Sequence, residues 1–386
     1  MIQPMKEPDK SVKPYPRTVS EPLIGVVSNP IKSNSRPLLS NFRELVIQGR
    51  SRGLTVLVFN CHDVDWKNRT VLGWTLEEKK PGHNRWVLYK FPLFDVVYNR
   101  IPNRAIENRP IVKEFFKNLQ DANIPVFNPA FLDKWVAYGW MAQDPAVSPH
   151  LPATGLLSNP LLARMLRSYG SVYIKPRQGS LGRGIIRIDR ANNGFRMLSK
   201  TSQGYQSTLV PNLKKVWSRL THLGSDHEII VQATINLAQY RDRHFDIRTL
   251  IQKDLNGEWQ ITGSGVRLAA VNAHLTHVPN GGQVMPLKTV LGYVLNNDES
   301  KLSSLIQQIH QLSRAVASRI DLESGSQFGE LSLDIGLDTE HKLWVFEANS
   351  KPFRFDEPEV RILSRNRILD YAIFLTRAKK KGSEIS

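Results

Sequence analysis

The sequence predicts an α/β domain over residues 21–128 followed by a larger α+β region over residues 129–377. Three features carry that prediction. The first is a pair of apolar runs, LIGVVSNP and LTVLVFN, on either side of the helical stretch PLLSNFRELVIQGRSRG, which together read as a parallel strand-helix-strand unit. The second is a change of texture after residue 128, where short strands bounded by turn residues dominate. The third is a long amphipathic stretch, SKLSSLIQQIHQLSRAVASRI, whose Leu302, Leu305, Ile306, Ile309, Leu312, Val316 and Ile320 recur at helical spacing and form a core-facing stripe.

The elements follow in order. Residues 1–20 carry prolines at 4, 8, 14 and 16 and are expected to form a disordered tail. Gly53 is placed to end the first helix, FDVVYNRIP reads as a strand, ENRPIVKEFFKNLQDAN as a helix beginning around Pro110, and IPVFNP as a short strand. Beyond 128, FLDKWVAYGWMAQ is helical, LPATGLLS is a linker, and PLLARMLRSYG is a helix ended by Gly170. Strands are then expected at SVYIKP, GIIRIDR, GFRMLS, EIIVQATI, FDIRTLIQKD and EWQITGSGVRLA, the last after an Asn256-Gly257 turn. After the long helix the chain closes with two strands, another helix and a frayed basic tail at 378–386.

Composition bounds the function. With 386 residues, 41% hydrophobic and 23% charged, the chain is that of a globular protein. No apolar run approaches the roughly 20 residues of a membrane span, and the N-terminus lacks a signal-peptide core, so the expected location is cytoplasmic. Cys61 is the single cysteine, which excludes an internal disulfide and reads as a small buried hydrophobe. The net charge of +17 would attract polyanions, but no helix-turn-helix, RNP-type strand or zinc finger turns that charge into nucleic-acid recognition.

Three constellations could carry chemistry. In VYIKPRQGSLGRGIIRI, Lys175 ends one strand, and Gly179, Gly182 and Gly184 let the following loop point amide N–H groups and the Ser180 hydroxyl at phosphate oxygens. It is neither a P-loop nor a dinucleotide fingerprint, because the lysine precedes the glycines and a strand follows them. A ligand-free glycine hairpin is the competing reading. In FGELSLDIGLDTEHKLWVFEANSKP, a four-residue loop at 339–342 would put Asp334 opposite Glu347, with Leu333, Ile335 and Leu337 sharing the other face with Trp344, Phe346 and Ala348. Asp334, Glu347 and Asn349 would then share a face, and opposed carboxylates call for a cation such as Mg²⁺ held jointly with phosphates. An exposed edge hairpin is the alternative there. Arg248 and Arg267 lie on successive strands and could neutralise a transferring phosphoryl group, although Asp246, two residues from Arg248, could simply pair with it. Between these segments, EIIVQATI offers a backbone edge for a purine.

The order of these parts, with LDKW, RHFDIRTLIQKD, HVPNGGQV and LWVFEANSKP around them, resembles the ATP-grasp superfamily and within it the YheC/YheD-type endospore coat-associated family. The resemblance covers residues 129 to about 375, and residues 21–128 are similar to the domain that usually precedes an ATP-grasp fold. It implies a flap lobe at 129–235, a metal-binding lobe at 236–377, and ATP between them. It further implies that Lys134 and Lys175 contact the phosphates, that the flap with Ser180, Gly182 and Gly184 covers them, and that Gln232, Ala233 and Ile235 meet the adenine. Arg248 and Arg267 would face the γ-phosphate with Lys175, while Asp334, Glu347 and Asn349 hold Mg²⁺. Lys134 comes from the resemblance alone.

The reaction so implied joins a carboxylate, through an acylphosphate, to an amine or similar nucleophile, in sporulation or the spore coat. No GxSxG elbow, HExxH helix or Cys/His pair offers a different chemistry. His244 and His277 read as structural, and Asn280, Gly281 and Gly282 as a substrate-side loop or an ordinary turn. The rivals are a coat-associated nucleotide-binding protein without turnover and a polyanion-binding surface. The substrates implied are ATP and an unidentified acidic or peptide-like carboxylate, an amino acid or a peptide, with coat components as candidate partners and neither membrane nor nucleic acid expected.

Overall fold

The computed structural model describes residues 12–16, 22–28, 40–80, 82–179, 184–201, 204–221, 228–270, 282–325 and 328–385. The N-terminal domain contains β1 (Leu23–Val27), α1 (Ser40–Ser51), β2 (Thr55–Phe59), β3 (Val64–Asp65), β4 (Thr70–Lys80), β5 (His83–Pro92), β6 (Val96–Asn99), α2 (Arg104–Glu107), α3 (Pro110–Asp121) and β7 (Val126–Phe127). Strands β2, β1, β6 and β7 lie side by side and parallel, as two β-branched runs joined by a helix require. Sequence reading missed the long hairpin β4–β5, whose first strand extends this sheet antiparallel to β2. Its alternation is blurred by charged residues toward the turn, Glu77 to Lys80. The disordered-tail expectation is corrected at residues 12–16: Pro14 bridges Lys90, and Tyr15 packs on Tyr89 and Phe91.

The flap lobe follows α4 (Lys134–Ala142) and comprises β8 (Thr154–Leu156), α5 (Asn159–Tyr169), β9 (Ser171–Pro176), β10 (Ile186–Ala191), β11 (Gly194–Thr201), β12 (Gly204–Val210), α6 (Leu213–Leu220) and β13 (Ile229–Ala233). Its sheet runs β12-β11-β10-β9-β13-β8, antiparallel at every pairing. Residues 151–158 were expected to be a linker, yet Thr154–Leu156 is the edge strand of this sheet, paired with Ile230 to Gln232. With Pro152 before it and Gly155 within it, so short a strand shows no alternation to read.

The last lobe contains β14 (Gln239–Tyr240), β15 (Arg243–Lys253), β16 (Trp259–Leu268), β17 (Gln283–Pro286), α7 (Leu287–Val294), α8 (Glu299–Ser324), β18 (Glu330–Leu337), β19 (Leu343–Asn349) and α9 (Pro358–Ile385). Its sheet, β17-β16-β15-β18-β19, packs one face on the apolar stripe of α8, where Leu302, Leu305, Ile309, Leu312, Val316 and Ile320 are all buried. The opposite face carries the polar residues of interest.

Two expectations about this lobe are corrected. Asp334 does pair with Glu347 across β18–β19, but a bulge then slips the register so that Ile335 opposes Val345 and Leu337 opposes Leu343. Val345 and Leu343 therefore take the core places expected of Phe346 and Trp344, and Phe346 turns to the polar face beside Glu347. The tail expected to fray at 378–386 is helical as far as Ile385, where α9 ends, and earlier on this helix Leu369, Tyr371, Ala372 and Leu375 pack with Ile24, Val26, Val58 and Val96 of the N-terminal domain. Cys61 is buried as expected, and burial pushes its thiol up to about 12.

Candidate functional site

A cleft of about 1070 Å³ opens between the two lobes and is walled on its far side by the N-terminal domain. Its nucleotide-sized end is built from strand ends. Lys175 closes β9, half-buried, with Nζ 2.5 Å from Gln232 Oε1. Gln232 is 4% exposed on β13, and its amide nitrogen donates to Thr154 Oγ1 at 3.1 Å, which fixes its oxygen toward the lysine. The overlooked strand β8 thus orients a site residue. Burial lowers the Lys175 ammonium to about 8, with Lys134 adding to the shift while Glu347 and Asp334 oppose it.

Lys134 is the first residue of α4, whose N-cap, Asp133, accepts from the amides of Trp135 and Val136. Asp133 also takes the Arg177 guanidinium at 3.1 Å; burial alone would raise its pKa, but these bonds hold it below the usual carboxylate range. From this fixed position Lys134 Nζ donates to the Gly179 carbonyl at 2.7 Å and pairs with Glu347 Oε1 at 3.0 Å, joining the flap's base to the last lobe.

Arg267 and Asp246 are direct cross-strand partners on β16 and β15, joined by two hydrogen bonds of 2.7 and 3.0 Å. The expected Asp246–Arg248 pairing is thereby corrected: the two-bond partner of Asp246 lies across the ladder. Arg267 also reaches Asp334 Oδ1 at 2.8 Å, and although burial works against its charge, Asp334 and Asp246 outweigh that and raise its pKa. Arg248 stands opposite Asp334 in the ladder and stacks on Phe355, 5.1 Å from the ring centre. Its Nε is buried without a hydrogen-bond partner, and burial lowers its pKa. A buried guanidinium with an unused donor suits an incoming anion.

Lys134, Lys175, Gln232 and Ile235 line the cleft, as do Arg248, Arg267, Asp334, Glu347 and Asn349. Ala233 does not present its side chain there; it is buried in the flap lobe's core, because alternation along β13 turns it away from Gln232. Gly184 has φ +74, and a Cβ on it would meet Pro176 Cγ at 3.0 Å, so the flap's return needs glycine. Ser180, Gly182, His277, Asn280 and Gly281 lie outside the described residues. His244 stands on the cleft wall.

The carboxylates bear on the metal question. Each has a side-chain cation of its own, Lys134 on Glu347 and Arg267 on Asp334, so their proximity alone does not demand a metal. Among the described residues no group of three or more His, Cys, Asp or Glu could hold an ion. Two carboxylates with the Asn349 amide fit Mg²⁺ that arrives with phosphates, since Mg²⁺ keeps waters and takes few protein ligands.

Sequence reading missed the far end of the cleft. Arg100 and Arg104 flank RIPNR after β6, Lys351 and Arg354 follow β19, and Arg361 and Arg365 lie one turn apart on α9. A cationic residue at each end of RIPNR, and KPFR directly after the Glu-x-Asn motif, were the available signals.

A flap sheet and a second sheet carrying Asp and Glu on neighbouring strands, closing on a cleft of lysines and arginines, define the ATP-grasp class. A family model described as YheC/D like ATP-grasp matches residues 123–375, so the chain belongs to that family. It is similar to the endospore coat-associated protein YheD of Bacillus subtilis (strain 168), 29% identical over 369 residues that cover 92% of this chain and 79% of that protein. The endospore coat-associated protein YheC of the same strain is 24% identical over 225 residues, covering 58% of this chain and 60% of that one. The fold is similar to that of the D-alanine-D-alanine ligase from Coxiella burnetii, with a TM-score of 0.53 and 10% identity over 95% of this chain and 97% of the ligase. Among the described residues no helix is long and apolar enough to cross a membrane.

Proposed function

We propose that the chain is an ATP-dependent carboxylate–amine ligase. The observation that supports this most strongly is that Lys134, Lys175, Arg248, Arg267, Asp334 and Glu347, drawn from separate elements, line one cleft. A substrate carboxylate oxygen bonds to the γ-phosphorus as the bond to the bridging oxygen of the β-phosphate breaks, releasing ADP. An amine nitrogen then bonds to the acyl carbon as the carbon–oxygen bond to phosphate breaks, the departing phosphate taking up the proton that the nitrogen loses.

Such a transfer needs placement and charge neutralisation more than a protein nucleophile. In this reading Lys134 and Lys175 hold the phosphates under the flap, and Arg248 and Arg267 meet the charge on the moving phosphoryl group. The segment Gln232 to Ile235 meets the adenine. Asp334, Glu347 and Asn349 would hold Mg²⁺, which when bound spreads phosphate charge. The role in sporulation or the coat rests on the names of YheD and YheC.

The test is ADP and phosphate release with mixtures of amino acids and short peptides. Release should require both a carboxylate and an amine. Lys175→Ala and Glu347→Ala should each lower it by about 10²–10³, the usual loss when a preorganised charge-stabilising group is removed. Unchanged turnover in both variants would falsify the assignment.

A further inference from the structure

The far end of the cleft carries more positive charge than a nucleotide uses. Around the whole cleft, eleven Lys and Arg side chains face five carboxylates among the described residues, and Glu107 and Asp189 behind the wall pair with Lys351 and Arg187, which leaves a surplus of four. Mg-ATP brings only about two negative charges. Six of the cations, Arg100, Arg104, Lys351, Arg354, Arg361 and Arg365, cluster where the N-terminal domain meets α9. Their protein partners are few. Among the described residues, Glu330 pairs with Arg100, Glu107 with Lys351, and Glu44 with both Arg354 and Arg365.

The cluster is held by the fold rather than by loose surface chains. Arg361, Ser364, Arg365 and Ile368 face the cleft from one side of α9, at the spacing of a single helical face. Arg104 and Lys351, which also line the cleft, both lie over the Phe131 ring, at 5.2 and 4.4 Å from its centre. The volume of about 1070 Å³ exceeds the roughly 300–1,000 Å³ of a pocket for one small ligand. The lining continues past the nucleotide end to Arg100, Arg104, Arg361 and Arg365, where a second molecule could lie.

We propose that this end of the cleft binds a carboxyl donor with several further carboxylates, a short acidic peptide or comparable polycarboxylate, gripped between α9 and the β6–α2 connection. The proposal rests on the ligase reading for its choice of carboxylate, since arginine forks grip carboxylate and phosphate alike. A neutral peptide of the same length would bring no charge to offset the cationic surplus and so bind far more weakly.

The test is calorimetric titration of tri-glutamate, tri-glutamine and fructose 1,6-bisphosphate into the full chain, with and without ADP. Tri-glutamate should bind, and tri-glutamine should bind at least about tenfold more weakly. Arg361→Glu should weaken tri-glutamate by about tenfold or more. Lys301→Glu, the same charge change at a side chain 68% exposed on α8, should leave it unaltered and so exclude an effect of the overall +17 charge. The proposal is overturned by absent tri-glutamate binding, by equal binding of tri-glutamine, or by equal effects of the two variants. Tighter binding of the bisphosphate would overturn the carboxylate assignment. Failure of ADP to bind would count against the ligase reading alone, because the peptide titration is also run without nucleotide.

Discussion

Lys175 shows how burial tunes one side chain for one ligand. Among the described residues its ammonium donates to Gln232 and lies near two aromatic rings, Tyr173 and Phe346, at 5.5 and 5.9 Å. Burial brings its pKa down to about 8 from an ordinary 10.5. The charged form that phosphate needs prevails below about pH 8 and is lost above it, while bound phosphate would raise the pKa again. Affinity for ADP should therefore fall as pH rises from 7 to 9, by up to about tenfold per unit above 8. In Lys175→Arg, whose guanidinium stays charged throughout, it should stay level. Titrating ADP at several pH values checks this, and a level wild-type profile would rule it out. At this scale Lys175, Arg248 and the two carboxylates could be read from the sequence because strand alternation and a glycine loop mark where they point. Lys134 could not, since a lysine at a helix start has no local mark, and its bond to Glu347 spans 213 residues.

Among the elements, the hairpin β18–β19 decides what the cleft wall presents. Alternation predicted the Asp334–Glu347 pair, because two charges in apolar runs can face only one way. The bulge was not readable, since one extra residue leaves no trace in composition, yet it puts Phe346 and Glu347 together on the cleft. Gly336 makes that possible. A Cβ on Gly336 would lie 2.4 Å from Phe346 Cζ and 2.8 Å from Leu237 Cδ2, both on cleft-lining side chains. Gly336→Ala should thus keep the fold, with an unchanged far-ultraviolet spectrum, while displacing the ring toward the ligand. The expected result is roughly tenfold weaker ADP binding, because close-packed neighbours transmit a shift of this kind. An affinity equal to wild type would mean that Phe346 does not touch the nucleotide.

For the whole molecule, the decisive contact is between its two ends. The N-terminal domain looked self-contained in sequence, with strand, helix and strand in order. One of its two core clusters is nonetheless completed by α9, where Tyr371 lies edge-on to Phe127 at 5.5 Å and Leu369 is fully buried. The periodicity of Ile368, Leu369, Tyr371, Ala372 and Leu375 marks an apolar face but does not say which core it enters. Magnitudes decide how much this matters. Three large side chains, Leu369, Tyr371 and Leu375, at roughly 1.5–3 kcal/mol each, contribute about 5–9 kcal/mol. That is comparable to the entire stability of about 5–15 kcal/mol typical of a domain. Residues 1–128 expressed alone should therefore lack fixed tertiary packing, binding a hydrophobic dye and losing the near-ultraviolet signal of their aromatic residues. Joining residues 358–385 to that fragment through a flexible linker should restore both. The same helix carries Arg361 and Arg365 to the cleft, so the helix that completes the N-terminal core also positions the cationic end of the site. A fragment of residues 1–128 that folds by itself, with the unfolding midpoint of the full chain, would show that α9 is an accessory and would detach the site's far wall from the stability of the domain behind it.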